Sequence, residues 1–483
     1  MQTCWVPLVL SLVSLLLTAG RTGPARNAIL FVGDGMGVPV VTAARMHARG
    51  PSGRLAMELP HVALVRTYSR DRLVSDSAST ATAVLSGQKV RVGTLGMSPE
   101  TYRACSSPTR LDGSPNPVHP CSEGSGPIPS LLELASAKGM VVGVVTTTRI
   151  THATPAALYA HSDERDSEEE IAVQLLGAGL SFVAGGGRRF FLSRAGGLLS
   201  RLKERLPGQR AAALAASRTD GRDLLAESAA DGVTVVGTGP ALREAVSRGD
   251  RPILALLADD HLPFELQRRA GGEKVPSLAE LTELAIRSLR SHPGGYLLLV
   301  EGGRIDHALH VNLARLALEE TMALDDAVAR ARELAGDGTL LLVTADHGHP
   351  LVISGYPLID DPVIGLARRF EGEDRVDEDG DGKPDFARGL DGKGMTVLAF
   401  GNGPGHGDPT APKPATAPRE DPIALGDGIL ELAYAQESAV PLLFSTHEGS
   451  DVFAAAEGPG SDAVRGFLEN TEIFEIIRRA LGL

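Results

Sequence analysis

The sequence predicts an α/β fold: a doubly wound, largely parallel central sheet with helices on both faces, plus insertions. Three observations carry this. Apolar runs of strand length alternate with helical patterns, which is the pattern of a parallel sheet. Acids and histidines stand at or just after the ends of several runs, where an open α/β sheet builds its site in the crevice beyond the strands' carboxyl ends. At 483 residues and 43% hydrophobic content, the chain can bury one large core and still carry additions.

Asn27 to Val32 reads as a buried strand, with Gly33, Asp34 and Gly35 as the turn leaving it. Helix formers follow from about Val40 to Ala48. Ser77 to Ser86 is a short helical run closed by Gly87, so Asp76 and Ser77 sit at a helix N-terminus, where free N–H groups and the dipole favour a phosphate. A helix near Ser130 to Lys138 leads through Gly139 to a strand from Met140 to Val145. Tyr296 to Val300, Leu340 to Thr344 and Thr396 to Phe400 read as further buried strands, with a long helix from about Leu313 to Leu334 between the first two. Residues from about 191 to 279, mostly charged helical segments, read as an insertion. So do those from about 360 to 437, rich in Gly, Pro and Asp. The main domain is expected over 27–483.

An apolar run from Trp5 to Leu17 ends in Thr18, Ala19 and Gly20, the pattern of a secretory signal peptide over residues 1–20. The run is short for a membrane anchor, so the mature chain is expected to be exported, periplasmic or extracellular, with no span. Cys105 and Cys121 are then an even pair flanking a Pro/Ser/Asn-rich loop; a disulfide is the simpler reading and two free thiols the other. A net charge of −13 argues against nucleic acid as a specific partner and against an anionic membrane. Any anionic substrate must be captured by local cations.

The chemistry is concentrated in five stretches: VGDGMG with Asp34, VSDSAS with Ser77, VEGGRIDHALH with Glu301, Asp306 and His310, VTADHGH with Asp346 and His347, and STHEGSD with His447. Carboxylates and imidazoles with a lone hydroxyl suit Zn²⁺ and Mg²⁺. Four carboxylates converging without cations repel severely. The set therefore reads as a hydrolytic metal centre with a serine beside it. Separately, Asp377, Asp379, Asp381 and Asp385 follow the D-x-D-x-D-G pattern of a calcium loop, but Arg388 takes the place of the bidentate Glu. Structural Ca²⁺ and a solvated acidic turn are both open readings.

Together with THATPAALYAH, these motifs in this order resemble the alkaline phosphatase family, from about Asn27 to about Val452. The resemblance implies a metal-dependent phosphomonoesterase acting on small phosphate monoesters through a phosphoserine at Ser77, with Arg165 binding phosphate. It implies one zinc on Asp306, His310 and His447, a second on Asp34, Asp346 and His347, and magnesium on Asp34, Thr154 and Glu301. A homodimer is also implied, as relatives are commonly dimers. His152 and His307 stand where another branch of the family has Asp and Lys, and His349 matches a histidine that orients Asp306. Phe264 and Glu265 resemble part of an additional calcium site, but Val275 stands where its acid is expected, so no such site is assigned. Competing readings are a phosphodiesterase or sulfatase-like relative, and a metal- or phosphate-binding protein without turnover.

Overall fold

The computed structural model describes residues 23–101, 126–193, 218–271, 274–371, 374–405 and 419–483. The expected signal segment and both Cys105 and Cys121 lie outside these residues. Among the described residues, no helix is long and apolar enough to cross a membrane.

The strands in chain order are β1 (Asn27–Gly33), β2 (His61–Arg66), β3 (Val141–Arg149), β4 (Phe182–Gly186), β5 (Thr234–Val236), β6 (Ile253–Leu256), β7 (Tyr296–Gly302), β8 (Thr339–Ala345), β9 (Leu351–Ile353), β10 (Phe370–Glu371), β11 (Asp374–Arg375), β12 (Leu398–Gly403), β13 (Ser438–Pro441), β14 (Val452–Glu457) and β15 (Gly466–Glu469). Ten of them form one sheet in the order β15-β2-β14-β8-β1-β7-β3-β4-β6-β5. Every pairing is parallel except those of β14, which runs against both β2 and β8.

The centre of the sheet is buried along its length. In β7 and β8 every residue is buried, and in β1 all but Asn27. Continuous apolar runs such as YLLLV and TLLLV suit strands covered on both faces. The long helix Ala314–Leu334 packs on helices Leu278–Leu289 and Val38–Arg49, while the C-terminal helix Asn470–Leu481 packs on helix Ser77–Ser86.

Parallel register brings the strand ends level. Val32 of β1 pairs with Glu301 of β7, and Gly33 pairs with both Gly302 and Ala345. Thr146 of β3 pairs with Glu301 from the other side. The turns after β1, β7 and β8 therefore open side by side at one edge.

Two departures from the sequence reading concern strand placement. The run Thr396 to Phe400 contributes to a strand, β12, but in a separate three-stranded sheet with β9 and β13. A short apolar run gives its own state, not its partners. Residues 191–279 also supply β5 and β6, which extend the edge of the large sheet, so this stretch is continuous with it.

Candidate metal centre

Asp34 follows β1 directly, Glu301 lies near the end of β7, and Asp346 and His347 follow β8. Asp306 and His310 sit one turn apart on helix Arg304–His310, just after β7. His447 comes from the loop before β14, and Thr154 from the short helix Ala153–Ala156 after β3. All eight residues gather at the carboxyl end of the sheet. Gly35 is needed there with φ +69°, because a Cβ would stand 2.7 Å from the His349 ring and 3.2 Å from Asp306 Cα.

Three groups of donor atoms result. In the first, His310 Nε2 is 3.3 Å from Asp306 Oδ1 and 3.2 Å from His447 Nε2, and His447 Nε2 is 3.6 Å from Asp306 Oδ1. In the second, His347 Nε2 is 3.5 Å from Asp34 Oδ1 and 3.3 Å from Asp346 Oδ2. Tetrahedral zinc, with bonds of about 2.0–2.1 Å, sets its ligand atoms about 3.3 Å apart. The first triad matches that spacing throughout, and His347 matches it to both Asp34 and Asp346. In the third, Asp34, His152 and Glu301 bring ligand atoms within 4.8 Å of one another.

Backbone and threonine contacts fix the ligands' orientation. His310 Nδ1 meets Ser445 O at 2.6 Å and His447 Nδ1 meets Ser75 O at 2.8 Å, which turns both Nε2 atoms toward Asp306. His349 Nε2 lies 2.7 Å from Asp306 Oδ1. Asp346 Oδ1 accepts from the Gly35 and His347 N–H groups, leaving Oδ2 for the triad. Thr146 and Thr148 donate to Glu301 Oε2. The buried atoms Asp34 Oδ2, Asp346 Oδ2, Glu301 Oε1 and Thr154 Oγ1 have no hydrogen-bond partner. Orphaned buried oxygens at one place fit a bound cation.

The electrostatics agree. Burial, then the charges of Asp346, Asp306 and Glu301, push the Asp34 carboxyl well above its ordinary value. Burial raises Glu301 to about 7 and also raises Asp346. Burial opposes ionisation of Asp306 too, but His310 and the His349 hydrogen bond hold it well below the usual range. Burial lowers His347 to about 3, and His349 and His447 to about 4, so these rings are neutral near neutral pH.

Ser77 is the first residue of helix Ser77–Ser86, but it is not the cap. Asp76 caps the helix by accepting from Ser79 N, and Gly87 ends it at φ 72°. Ser77 Oγ instead faces the second triad, 3.2 Å from His347 Nε2 and 3.4 Å from Asp34 Oδ1. Arg165 reaches the same place, donating to Asp76 Oδ2 at 3.0 Å. Burial would lower its pKa, but Asp76 raises it. Its Nη2 lies 3.5 Å from His152 Nε2.

His307 lies beside His152, with ring centroids 5.4 Å apart. Sequence reasoning missed His261, whose ring completes this cluster 4.2 Å from that of His307; a lone histidine far off in the chain gives no signal. It also missed the roles of Asp76, Thr146 and Thr148. The TTT run at the end of a predicted strand was the available hint. Away from the centre, Asp377, Asp379 and Asp385 bring oxygens within 4.8 Å of one another, while Asp381 stands outside that group and accepts from Lys383 N. The carboxylate of Glu265 is held by Arg268 and Arg269.

A sequence profile described as Alkaline phosphatase matches residues 25–483. The chain is 36% identical over 487 residues to the tissue-nonspecific alkaline phosphatase of Gallus gallus, covering 93% of this chain and 83% of that one. It is 34% identical over 478 residues to an alkaline phosphatase of Gadus morhua, covering 93% and 90%. The crystal structure of Thermus thermophilus alkaline phosphatase superposes with a TM-score of 0.65 at 27% identity, covering 99% of this chain and 96% of that one.

The raised carboxyls make a testable claim about cation binding. Because burial raises Glu301 to about 7 and Asp34 is raised too, while His347, His349 and His447 are neutral, loading divalent cations near neutral pH should expel protons. Calorimetric titration of stripped protein with Zn²⁺ and Mg²⁺, in buffers of different ionisation enthalpy, should show that release shrinking as pH rises. A heat independent of buffer would mean the carboxylates are ionised before any cation arrives.

Proposed function

The chain belongs to the alkaline phosphatase family and is a phosphomonoesterase, and we propose that it is an exported enzyme working through a phosphoserine at Ser77 with two zinc ions and one magnesium ion. The observation that carries the proposal is the aim of Ser77 Oγ, 3.2 Å from His347 Nε2 and away from any capping role. Asp306, His310 and His447 would hold one zinc; Asp34, Asp346 and His347 would hold the other beside the serine. Asp34, Glu301 and Thr154 would hold magnesium, the harder ion on oxygen ligands. Bound there, the ions neutralise the clustered carboxylates, ease deprotonation of the serine and polarise phosphoryl oxygens.

The chain's own groups do the rest. Arg165 grips two non-bridging oxygens of the dianionic phosphate with its planar fork, while Asp76 holds the guanidinium in place. Ser77 sits at a helix N-terminus, where unpaired N–H groups favour the anion. Its oxygen forms a bond to phosphorus as the bond to the leaving alcohol breaks on the opposite side. Water then attacks the phosphoserine, and inorganic phosphate leaves with serine restored. A phosphodiester offers Arg165 one charged oxygen fewer, which favours monoesters. The signal peptide, the Cys105–Cys121 disulfide and a homodimer remain part of the proposal, as does Ca²⁺ on the loop containing Asp377, Asp379, Asp381 and Asp385.

Ser77→Ala should retain its metal content yet hydrolyse a chromogenic monoester several orders of magnitude more slowly. Metal analysis beside rate assays with monoester and diester checks this. A near-normal rate would reduce Ser77 to a helix residue, and a preference for the diester would reassign the substrate.

His152 tests the third group. An imidazole gives Mg²⁺ less charge than a carboxylate and presents a nitrogen that zinc accepts more readily. His152→Asp should lower the Mg²⁺ concentration for half-activation at fixed Zn²⁺. Equal half-activation in wild type and variant would remove His152 from that role.

A further inference from the structure

We propose that the corner formed by Arg304, His307, His261 and His152 is a second anion subsite, which selects phosphate monoesters whose alcohol carries a negative group of its own. The inference rests on the phosphomonoesterase reading and extends it to substrate class.

The key residue is Arg304. Its guanidinium carbon lies 3.7 Å from the Phe264 ring centroid, and its Nη1 lies 3.1 Å from His307 Nδ1. Its Nε is buried without a hydrogen-bond partner. Among the described residues no carboxylate forms an ion pair with it, whereas each neighbouring arginine has one. Arg149 holds Glu168 and Asp260, Arg188 holds Asp259, Arg189 holds Asp260 and Arg165 holds Asp76. The buried Glu320 uses Oε1 on the Glu265 N–H. The charges of Glu320 and Asp260 reach Arg304 without an ion pair, and a guanidinium buried in that way bears a desolvation cost that an incoming anion relieves further. Stacking on Phe264 fixes its plane, so the donor fork is presented without further ordering.

The corner is also correctly placed. Arg165 Nη2 is 3.5 Å from His152 Nε2, the His152 and His307 rings are 5.4 Å apart, and His307 touches Arg304. His261 closes the wall against both imidazoles. All four corner residues are partly exposed, although His152 Nδ1 and Arg304 Nε are themselves buried. An alcohol attached to a phosphate on Arg165 would therefore approach Arg304 along two imidazoles. His261 is turned to Arg149 through both ring nitrogens and only shapes the wall, while His307, whose Nδ1 faces Arg304, keeps Nε2 to donate to a carboxylate or a phosphate.

The test uses metal-loaded enzyme, wild type, Arg304→Met and Arg304→Lys, with phenyl phosphate, 4-carboxyphenyl phosphate and 1,4-phenylene bisphosphate. In Arg304→Met the KM for the two charged substrates should rise about tenfold relative to that for phenyl phosphate, from loss of one charge-assisted contact. Arg304→Lys should recover part of it, and added salt should shrink the difference. A larger shift for the bisphosphate identifies phosphate as the preferred tail, and a larger shift for the carboxylate identifies carboxylate. Relative KM values that do not move overturn the subsite. Hydrolysis of none of the three by wild type defeats the functional reading and the subsite with it. A second measurement needs no variant: 4-carboxybenzylphosphonate should inhibit wild type more tightly than benzylphosphonate at low salt, and equal inhibition constants also overturn the subsite.

Discussion

Everything at the centre depends on one constraint: four carboxylates, those of Asp34, Glu301, Asp306 and Asp346, are buried together with exposures of at most 4%. Carboxylates so placed cannot all ionise unless cations join them. Burial, and after it the charge of neighbouring carboxylates, drives Asp34, Glu301 and Asp346 toward the protonated form. Only Asp306, ringed by His310, His349 and His447, escapes. The clustered donors therefore fit bound cations, and Ser77 Oγ lies beside them.

The fold supplies that density of charge at little conformational cost. β1, β7 and β8 are adjacent and parallel, so their carboxyl ends open at one level. Each strand is anchored by apolar residues buried on both faces, and each delivers an acid at or just beyond its end. The remaining candidate ligands come from the helix that follows β7 and from the loop ahead of β14, the one strand of the large sheet that runs backwards. Rigid strands thus hold carboxylates where isolated loops would let them separate.

Much of this was legible in the sequence, for physical reasons. Buried strands such as Asn27–Gly33 and Thr339–Ala345 are continuous apolar runs, and helix Ser77–Ser86 carries its own stop at Gly87. The site residues announce themselves because acids directly after such runs must face the sheet's end. Less legible were features set by tertiary packing. β2 shows mixed burial and β14 is half alanine, so neither carries a strong strand signal. The membership of β12 in a second sheet depends on β9 and β13, far from it in sequence. The serine could have been a cap on sequence grounds; only the Asp76 hydrogen bond to Ser79 N frees it. His261 joined His152 and His307 through a loop whose course no local pattern dictates.

The central claim is that Ser77 carries the phosphoryl group during turnover. The most direct measurement is to quench the enzyme with acid while it is turning over phenyl phosphate, digest it and map phosphate by mass spectrometry. The account predicts a phosphate on the peptide that bears Ser77, localised to that hydroxyl and absent without substrate. Full turnover with that peptide unmodified, or with the phosphate on another residue, would contradict it.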